Sequence, residues 1–279
     1  MIFDKQYTQA LRDAVSLSIG KRAKMLRPYN ITKKDIIIML IDCETINKGL
    51  HYPYEIAIKI YKNGKLVEEK SFITKEIFDN EYEMQNAWYK NKIPFYNETL
   101  QTNENMTKKS AREILQNINE LIVKYKIKNV FAYNAIFDRK VVNNLYELPS
   151  NADIPNLFKK LYVIDIWKIA TDIIALFDDL YDDYMLFCYR HRLYTQKQKS
   201  ISTSAETMAK YIYQNPYFIE EHTGISDTIC EFDILMKVLE IFKRKTGCDY
   251  YYKLDSVGHN PQPFYSKRVQ NVFERQLGY

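Results

Sequence analysis

The clearest hydrophobic pattern in the chain is an unbroken apolar run, Ile36–Ile41, which ends at Asp42. An apolar run this short is typical of a strand that is buried on both faces. Apolar and polar residues then alternate through Glu55–Tyr61, and a second segment, Leu66–Ile73, returns after an Asn-Gly pair. Asn-Gly between two such segments is a strong signal for a β-hairpin. The pattern therefore predicts a strand followed by a hairpin, which can begin a mixed sheet.

Helical and short-strand patterns alternate through the rest of the chain. Apolar residues recur on one helical face over 107–127, which predicts an amphipathic helix with Thr107 or Ser110 near its N-cap. Residues 75–108 have a weaker period, and we expect loops and short helices there. The other predicted elements are short strands within 128–134 and 159–170, each leading into a helix, and helices at 204–213 and 224–246.

One α/β domain with additions at both ends fits this order of elements best. We predict a helical N-terminal extension over 1–34, a domain over 35–245, and a Tyr-rich C-terminal tail over 246–279 that packs on the domain. A helical insertion interrupts the domain at about 171–203, where an acidic cluster precedes a basic, aromatic one. This insertion is a candidate surface for a partner or a substrate strand, and a solvated helical pair explains it equally well.

Composition excludes several classes of protein. Hydrophobic residues make up 46% of the chain and charged residues 27%, a balance typical of a globular protein with a core. The net charge of +5 is compatible with a polyanionic partner but does not indicate one. No apolar run approaches the ~20 residues of a membrane helix, and the polar N-terminus is unlike a signal peptide. We therefore predict a cytoplasmic protein with no membrane partner. The cysteines lack C-x-x-C spacing, which argues against a zinc knuckle or a redox pair.

The two carboxylates at the end of the first strand require a physical explanation. Asp42 and Glu44 lie on the same face because strand side chains alternate, whereas Cys43 points the opposite way. Two adjacent carboxylates resist double ionisation unless a cation lies between them. Hard oxygen ligands at this spacing suit Mg²⁺ or Mn²⁺. On its own the motif is explained equally well by capping of the strand end or by pairing with lysines.

Two further segments carry acidic or histidine side chains at junctions between elements. A predicted strand ends at Tyr133, Asn134 follows as a turn residue, and Asp138 lies one turn into the next helix. An acid at this position more often interacts with the helix dipole than with a metal. His222 and Asp227 are five residues apart, which predicts His222 on a loop and Asp227 in the first turns of a helix.

Together the three segments resemble the DEDDh (DnaQ-like) family of 3′→5′ exonucleases. The family lies in the RNase H-like superfamily and includes the proofreading exonuclease subunit of bacterial replicative DNA polymerase. The order, contexts and spacing of the motifs match over about Asp35–Arg244, with an interruption near Thr171–Thr203. The resemblance implies a mixed five-stranded sheet flanked by helices, and two bound divalent metal ions, Mg²⁺ or Mn²⁺.

Carried over to this sequence, the family mechanism gives each motif residue a role. Asp42 would bridge both ions, Glu44 and Asp227 would complete the site that holds the attacking water, and Asp138 would support the second ion. His222 would take the proton of the water, a role that suits an imidazole because its ordinary pKa lies near neutral pH. The products would be nucleoside 5′-monophosphates.

Three further residues match positions near the terminal nucleotide in the family. These are Thr45, Asn134 and Phe137, of which Phe137 is better explained as a core residue. The sequence departs from the family pattern at Ile46, where a glycine is common, and at Tyr133, where a histidine is common. These departures affect the choice of substrate more than the chemistry, because all five catalytic residues are present.

The resemblance predicts a metal-dependent 3′→5′ exonuclease that acts on single-stranded or frayed DNA. It would trim ends or proofread in trans for a polymerase or another replication protein, since the chain has no polymerase motifs. An alternative is an RNA exonuclease, either an oligoribonuclease or an RNA-trimming enzyme, which the sequence does not distinguish. A non-catalytic nucleic-acid-binding scaffold of the same fold is a third hypothesis. An RNase H-type endonuclease is disfavoured because the His222–Asp227 pair marks the exonuclease branch.

Overall fold

The computed structural model describes residues 27–30, 37–46, 52–195, 200–246 and 250–253. The chain divides into two compact units. We call Asn30–Ile166 with Glu220–Phe232 the sheet unit, and Met1–Tyr29 with Trp167–Ile219 and Asp233–Tyr279 the helical unit. Apart from two short strands, the predicted N-terminal extension and C-terminal tail lie outside the described residues. The predicted domain boundaries therefore stay predictions.

Strands in the described residues form two sheets. They are β1 (Arg27–Asn30), β2 (Ile37–Thr45), β3 (Pro53–Lys62), β4 (Lys65–Thr74), β5 (Met106–Lys109), β6 (Asn129–Ala132), β7 (Tyr162–Asp165) and β8 (Tyr250–Lys253). The larger sheet has the order β5-β4-β3-β2-β6-β7 and lies in the sheet unit. Its β2–β3 and β3–β4 pairs are antiparallel, whereas β4–β5, β2–β6 and β6–β7 are parallel. Strands β1 and β8 pair with each other.

The predicted mixed α/β fold class is confirmed, but the predicted number of strands is wrong. The sheet has six strands where five were expected. The additional strand is β5, in a segment that was predicted as loop and the start of a helix. It pairs in parallel with β4, from Ser71 opposite Met106 to Thr74 opposite Lys109. This pairing is between segments distant in sequence, so the local pattern of "MTKK" gives no sign of it.

The predicted hairpin is confirmed in its position and its turn. Asn63 and Gly64 both have positive φ, at 52° and 77°, as a type I′ turn requires. The turn sets β4 against β3, and β3 in turn pairs along the whole of β2. Leu40 on the other side of β2 lies opposite Phe131 of β6. β2 is therefore central in the sheet, which explains its continuous apolar sequence.

Helices connect strands of the sheet unit, and further helices lie in the helical unit. They are α1 (Lys75–Phe78), α2 (Glu81–Met84), α3 (Ile93–Thr102), α4 (Ala111–Lys124), α5 (Ala135–Tyr146), α6 (Ile166–Leu176), α7 (Asp178–Arg190), α8 (Ala205–Ile212) and α9 (Gly224–Thr246). The cap of α4 is Ser110, one of the two predicted residues. Its hydroxyl accepts the Glu113 N–H, and the Glu113 carboxylate accepts the Ser110 N–H, which completes a capping box.

The two faces of β2 have different surroundings. Met39, Ile41 and Cys43 point into a core that includes the apolar face of α4, such as Ile114 and Ile118. The opposite face carries Asp42 and Glu44 by strand alternation. The N-terminal end of α9 packs over that face, because Gly224 lies directly against Ala57 and Glu55 of β3. The sheet thus separates an apolar layer from the layer in which the acidic side chains lie.

In the helical unit, the predicted insertion at about 171–203 is helical, as expected, where it coincides with α6 and α7. Tyr184 donates its hydroxyl hydrogen to the Ser202 carbonyl at 2.6 Å, and Tyr211 of α8 donates to Asp183 at 2.9 Å. Lys245 forms an ion pair with Asp179. Among the helices of the described ranges, none has the length and apolarity needed to cross a bilayer.

Candidate active site

Three predicted ligands converge at the end of β2, within the sheet unit. Carboxylate oxygens of Asp42, Glu44 and Asp227 all lie within 4.8 Å of one another. Glu44 is buried, and Asp42 is half-buried with its Oδ2 atom enclosed. Asp227 comes from α9 and lies 185 residues beyond Asp42 in the chain, so only the tertiary fold brings the two together.

Asp42 and Asp227 are therefore distant in sequence and adjacent in space.

The fourth predicted ligand, Asp138, lies in the first turn of α5 and is 2% exposed. Because β6 runs parallel to β2, the start of α5 lies beside the end of β2. The Cys43 thiol and backbone N–H both donate hydrogen bonds to the Asp138 carboxylate. Its Oδ1 atom is buried and has no hydrogen-bond donor. The structure thus holds Asp138 next to β2, on the α5 side of the group formed by Asp42, Glu44 and Asp227.

His222 lies on a loop immediately before α9, as the sequence predicted. Its backbone is left-handed, with φ of 53°, and its ring stacks on Tyr89 with the ring centroids 4.3 Å apart. The His222 Nδ1 atom is 3.9 Å from a carboxylate oxygen of Glu220. Possible metal-ligating atoms of Glu220, His222 and Asp227 lie within 4.8 Å of one another. All five residues of the predicted catalytic set are therefore in the sheet unit, at one end of β2.

Glu55, which sequence reasoning missed, fixes the position of the loop that carries His222. It lies on β3 directly opposite Glu44 and is fully buried. Its carboxylate accepts hydrogen bonds from the Tyr96 hydroxyl at 2.6 Å, the Ser71 hydroxyl at 2.7 Å and the Gly224 N–H at 2.9 Å. The signal in the sequence was an acidic residue at a position of an alternating strand that faces the protein interior.

Gly224 allows α9 to approach the sheet closely. A Cβ atom at this position would lie 2.6 Å from the Ala57 Cβ and 3.1 Å from the Glu55 Cδ. The next turn begins with a hydrogen bond from the Asp227 N–H to the Thr223 carbonyl at 2.9 Å. The Asp227 carboxylate also accepts backbone hydrogen bonds from Thr223 and His222. The loop and the first turn of α9 are consequently one connected unit.

Two more buried acids lie near the predicted site and were not identified from the sequence. Glu231 is one helical turn beyond Asp227, and its carboxylate accepts the Tyr133 N–H at 3.1 Å. Asp165, at the end of β7, accepts the Asn134 N–H at 3.0 Å. Both acids therefore hold the backbone that joins β6 to α5. For Glu231, the spacing of four residues after Asp227 was a usable signal.

The three predicted substrate-binding residues have different environments. Thr45 is buried at the end of β2, whereas Asn134 is exposed and has a left-handed backbone with φ of 64°. Phe137 is half-buried and packs against the main core cluster. Of the three side chains, that of Asn134 is the most exposed, and Phe137 has the core contacts that its pattern indicated.

Without cations, the site is electrostatically unfavourable. Burial, with the charge of Asp227 second, raises the pKa of Glu44 to about 9. Burial also raises the pKa values of Asp138 and Asp227 to about 8. For Asp42, burial and then the charge of Glu231 raise the pKa well above its ordinary range. A bound cation would lower these pKa values because it favours the ionised carboxylates.

The donor atoms fit divalent cations. Four carboxylates each have a buried oxygen that lacks a hydrogen-bond donor, namely Asp42 Oδ2, Asp138 Oδ1, Asp227 Oδ1 and Glu231 Oε2. Several carboxylate oxygens without sulfur ligands suit Mg²⁺ or Mn²⁺ better than softer metals. The chain could therefore hold divalent cations between the end of β2, α5 and the first turns of α9.

Comparisons with known proteins give structural likeness only. No protein-family model matches the chain, and no curated protein matches its sequence. Among solved structures, apo Exonuclease I is 16% identical, with a TM-score of 0.45, and the match covers 74% of this chain but 42% of that one. Another similar structure is that of a 3′-exonuclease in 3′-end specific recognition of a histone mRNA stem-loop. It is 12% identical, with a TM-score of 0.45, and the match covers 89% of this chain and 81% of that one. The chain thus spans less than half the length of Exonuclease I.

Proposed function

We propose that this protein is a metal-dependent 3′→5′ exonuclease of the DEDDh type. The observation that carries the proposal is the convergence of three separate segments at one end of β2. Asp42 and Glu44 come from β2 itself, Asp138 from α5, and His222 and Asp227 from the start of α9. The resemblance to the DnaQ-like family rests on these same residues.

The four acids would hold two divalent metal ions, Mg²⁺ or Mn²⁺. Asp42 is adjacent to both Glu44 and Asp227, and its enclosed Oδ2 atom has no hydrogen-bond donor, which suits a shared ligand. Cys43 fixes Asp138 by two hydrogen bonds and leaves Oδ1 without a donor. When bound, such ions lower the pKa of an attacking water and neutralise charge on phosphoryl oxygens.

His222 would accept the proton of the attacking water. Its ring is close to Asp227 and is held by the stack on Tyr89, so its orientation is restricted. The Glu220 carboxylate is on the Nδ1 side of the ring. Each turnover would release a nucleoside 5′-monophosphate.

The substrate would be the 3′ end of single-stranded or frayed DNA. Asn134 and Phe137, with Thr45, are the candidates for contact with the terminal nucleotide. RNA is the alternative substrate, because nothing in these three residues selects against a 2′-hydroxyl. Action in trans for a polymerase or another replication protein, and a cytoplasmic location, are further parts of this proposal.

A degradation assay tests the proposed activity. Single-stranded DNA and RNA of one sequence, each labelled at the 5′ end, would be incubated with the protein and Mg²⁺ or Mn²⁺. We expect a ladder that shortens from the 3′ end and disappears with EDTA. Asp42→Ala and His222→Ala should both abolish the ladder, whereas Glu120→Gln, at an exposed position on α4, should leave it unchanged.

The assay also separates the remaining hypotheses. The faster of the two substrates decides between a DNA and an RNA exonuclease. Absence of a ladder on both, with a folded protein, would contradict the proposal for the isolated chain. In that case gel-shift binding of the same oligonucleotides would support the non-catalytic scaffold.

A further inference from the structure

We propose that Glu231 is an additional carboxylate ligand of the metal centre, acting with Asp42 and Asp138. This proposal rests on the proposed function, since it concerns the same ions. It adds a fifth acid, which the resemblance to known exonucleases does not supply, to the four residues already assigned.

The first argument is the direction of the Glu231 side chain. Asp227 and Glu231 are separated by one helical turn on α9, so they lie on the same face of the helix. Asp227 meets Asp42 and Glu44 on that face. Glu231 therefore points toward the same end of the sheet, one turn farther along the helix.

The second argument is the hydrogen bond that locates the Glu231 carboxylate. One oxygen accepts the Tyr133 N–H at 3.1 Å, just after the end of β6. In the parallel pair, Leu40 of β2 lies opposite Phe131 of β6. Continuing that register by two residues places Tyr133 beside Asp42. The carboxylate of Glu231 is thus at the level of Asp42, on the β6 side.

The third argument is the second carboxylate oxygen of Glu231. The residue is 3% exposed, and Oε2 is buried without any hydrogen-bond donor. Asp42 Oδ2 and Asp138 Oδ1 are likewise buried without a hydrogen-bond donor. A buried carboxylate without a compensating partner costs several kcal/mol. A cation bound beside such an oxygen would compensate it.

The electrostatic surroundings agree with this geometry. Glu231 is the charged neighbour that most strongly raises the pKa of Asp42, after burial itself. Asp138 is likewise the charged neighbour that most strongly raises the pKa of Glu231, after burial itself. The charges of the three carboxylates therefore act on one another. The competing explanation is that Glu231 serves only as the hydrogen-bond acceptor for Tyr133.

Binding of Mn²⁺, followed by electron paramagnetic resonance on the full chain, distinguishes the two explanations. Glu231→Gln removes the charge but keeps an oxygen that can accept the Tyr133 N–H. We expect it to weaken binding of at least one Mn²⁺ by about tenfold or more, with the far-UV circular dichroism unchanged. Glu221→Gln is the matched control, since it removes an exposed carboxylate from the neighbouring loop.

If Glu231→Gln and Glu221→Gln bind Mn²⁺ equally well while Asp42→Asn binds it less well, the role of Glu231 is overturned. The metal centre and the proposed function are then unaffected. Absence of Mn²⁺ binding by the unmodified protein would overturn the metal centre itself, and the proposed function with it. If Glu231→Gln does not fold, Glu231→Met takes its place. Unchanged Mn²⁺ binding by that variant would likewise overturn the role of Glu231.

Discussion

Buried carboxylates are the residue-scale feature on which both stability and the proposed function depend. Glu55 and Glu44 lie opposite each other on paired strands, yet their surroundings differ. Glu55 has three hydrogen-bond donors around its carboxylate, so it is compensated by the protein itself. The oxygens of Asp42, Asp138 and Asp227 described above lack such donors. The first kind of acid supports the fold, and the second kind is suited to bind cations.

The raised pKa values predict how stability depends on pH. The folded-state values are about 8 for Asp138 and Asp227 and about 9 for Glu44, against ordinary values near about 4. Between these values the folded state binds more protons than the unfolded state, so stability should fall as pH rises. With EDTA present, the contribution of these acids to the melting temperature should therefore decrease from pH 5 to pH 8. It is measured as the difference from Glu44→Gln, which lacks one of these acids, across that range.

Addition of Mn²⁺ should reverse this trend, because cations bind the ionised carboxylates. The increase in melting temperature on adding Mn²⁺ should be larger at pH 8 than at pH 5. Asp42→Asn should show a much smaller increase at both values. An equal increase for the variant and the unmodified protein at pH 8 would argue against a cation site at Asp42.

Gly224 gives a prediction that follows from close packing. Gly224→Ala should destabilise the protein by about 1–3 kcal/mol, since the added methyl group overlaps Ala57 and crowds the Glu55 carboxylate. The proposed nuclease activity should fall as well, because the same shift moves the loop that carries His222. Urea denaturation measures the first effect and the degradation assay the second. Ser226→Ala, in the same turn of α9, is the control and should change stability little.

At the scale of elements, local signals explain which predictions are confirmed. The β2 strand and the β3–β4 hairpin follow from an apolar run and an Asn-Gly turn, both of which act within a few residues. β5 was missed because its four residues become a strand only by pairing with β4. The same pairing places Thr107 inside a strand, which leaves Ser110 as the cap of α4.

The capping box at α4 gives a prediction at this scale. Ser110→Ala should destabilise the protein by about 1 kcal/mol, because the hydroxyl that accepts the Glu113 N–H is lost. Thr107→Ala is the informative comparison, since Thr107 was the other candidate cap and its hydroxyl has no partner. Urea denaturation should show the larger loss for Ser110→Ala. The reverse order would contradict the assignment of the cap.

At the scale of the whole molecule, the sequence predicted the acids of the site but not their supporting residues. Asp42, Glu44, Asp138, His222 and Asp227 stood out because each follows a strand or begins a helix within a recognisable motif. Glu55, Glu220, Glu231 and Asp165 belong to no such motif, although the helical spacing of Glu231 and the inward position of Glu55 were usable signals. Their importance lies in burial and in contacts between distant segments, which a single sequence does not display.

The hydrogen bond from Gly224 to Glu55 has a consequence for the synthesis of the protein. It joins residues 169 positions apart, and the loop that it holds carries His222. A growing chain reaches the sheet strands long before it reaches this loop. The complete candidate site therefore forms only after most of the described chain has left the ribosome. Until then the nascent chain carries the acids of β2 without His222, so it should lack the proposed exonuclease activity.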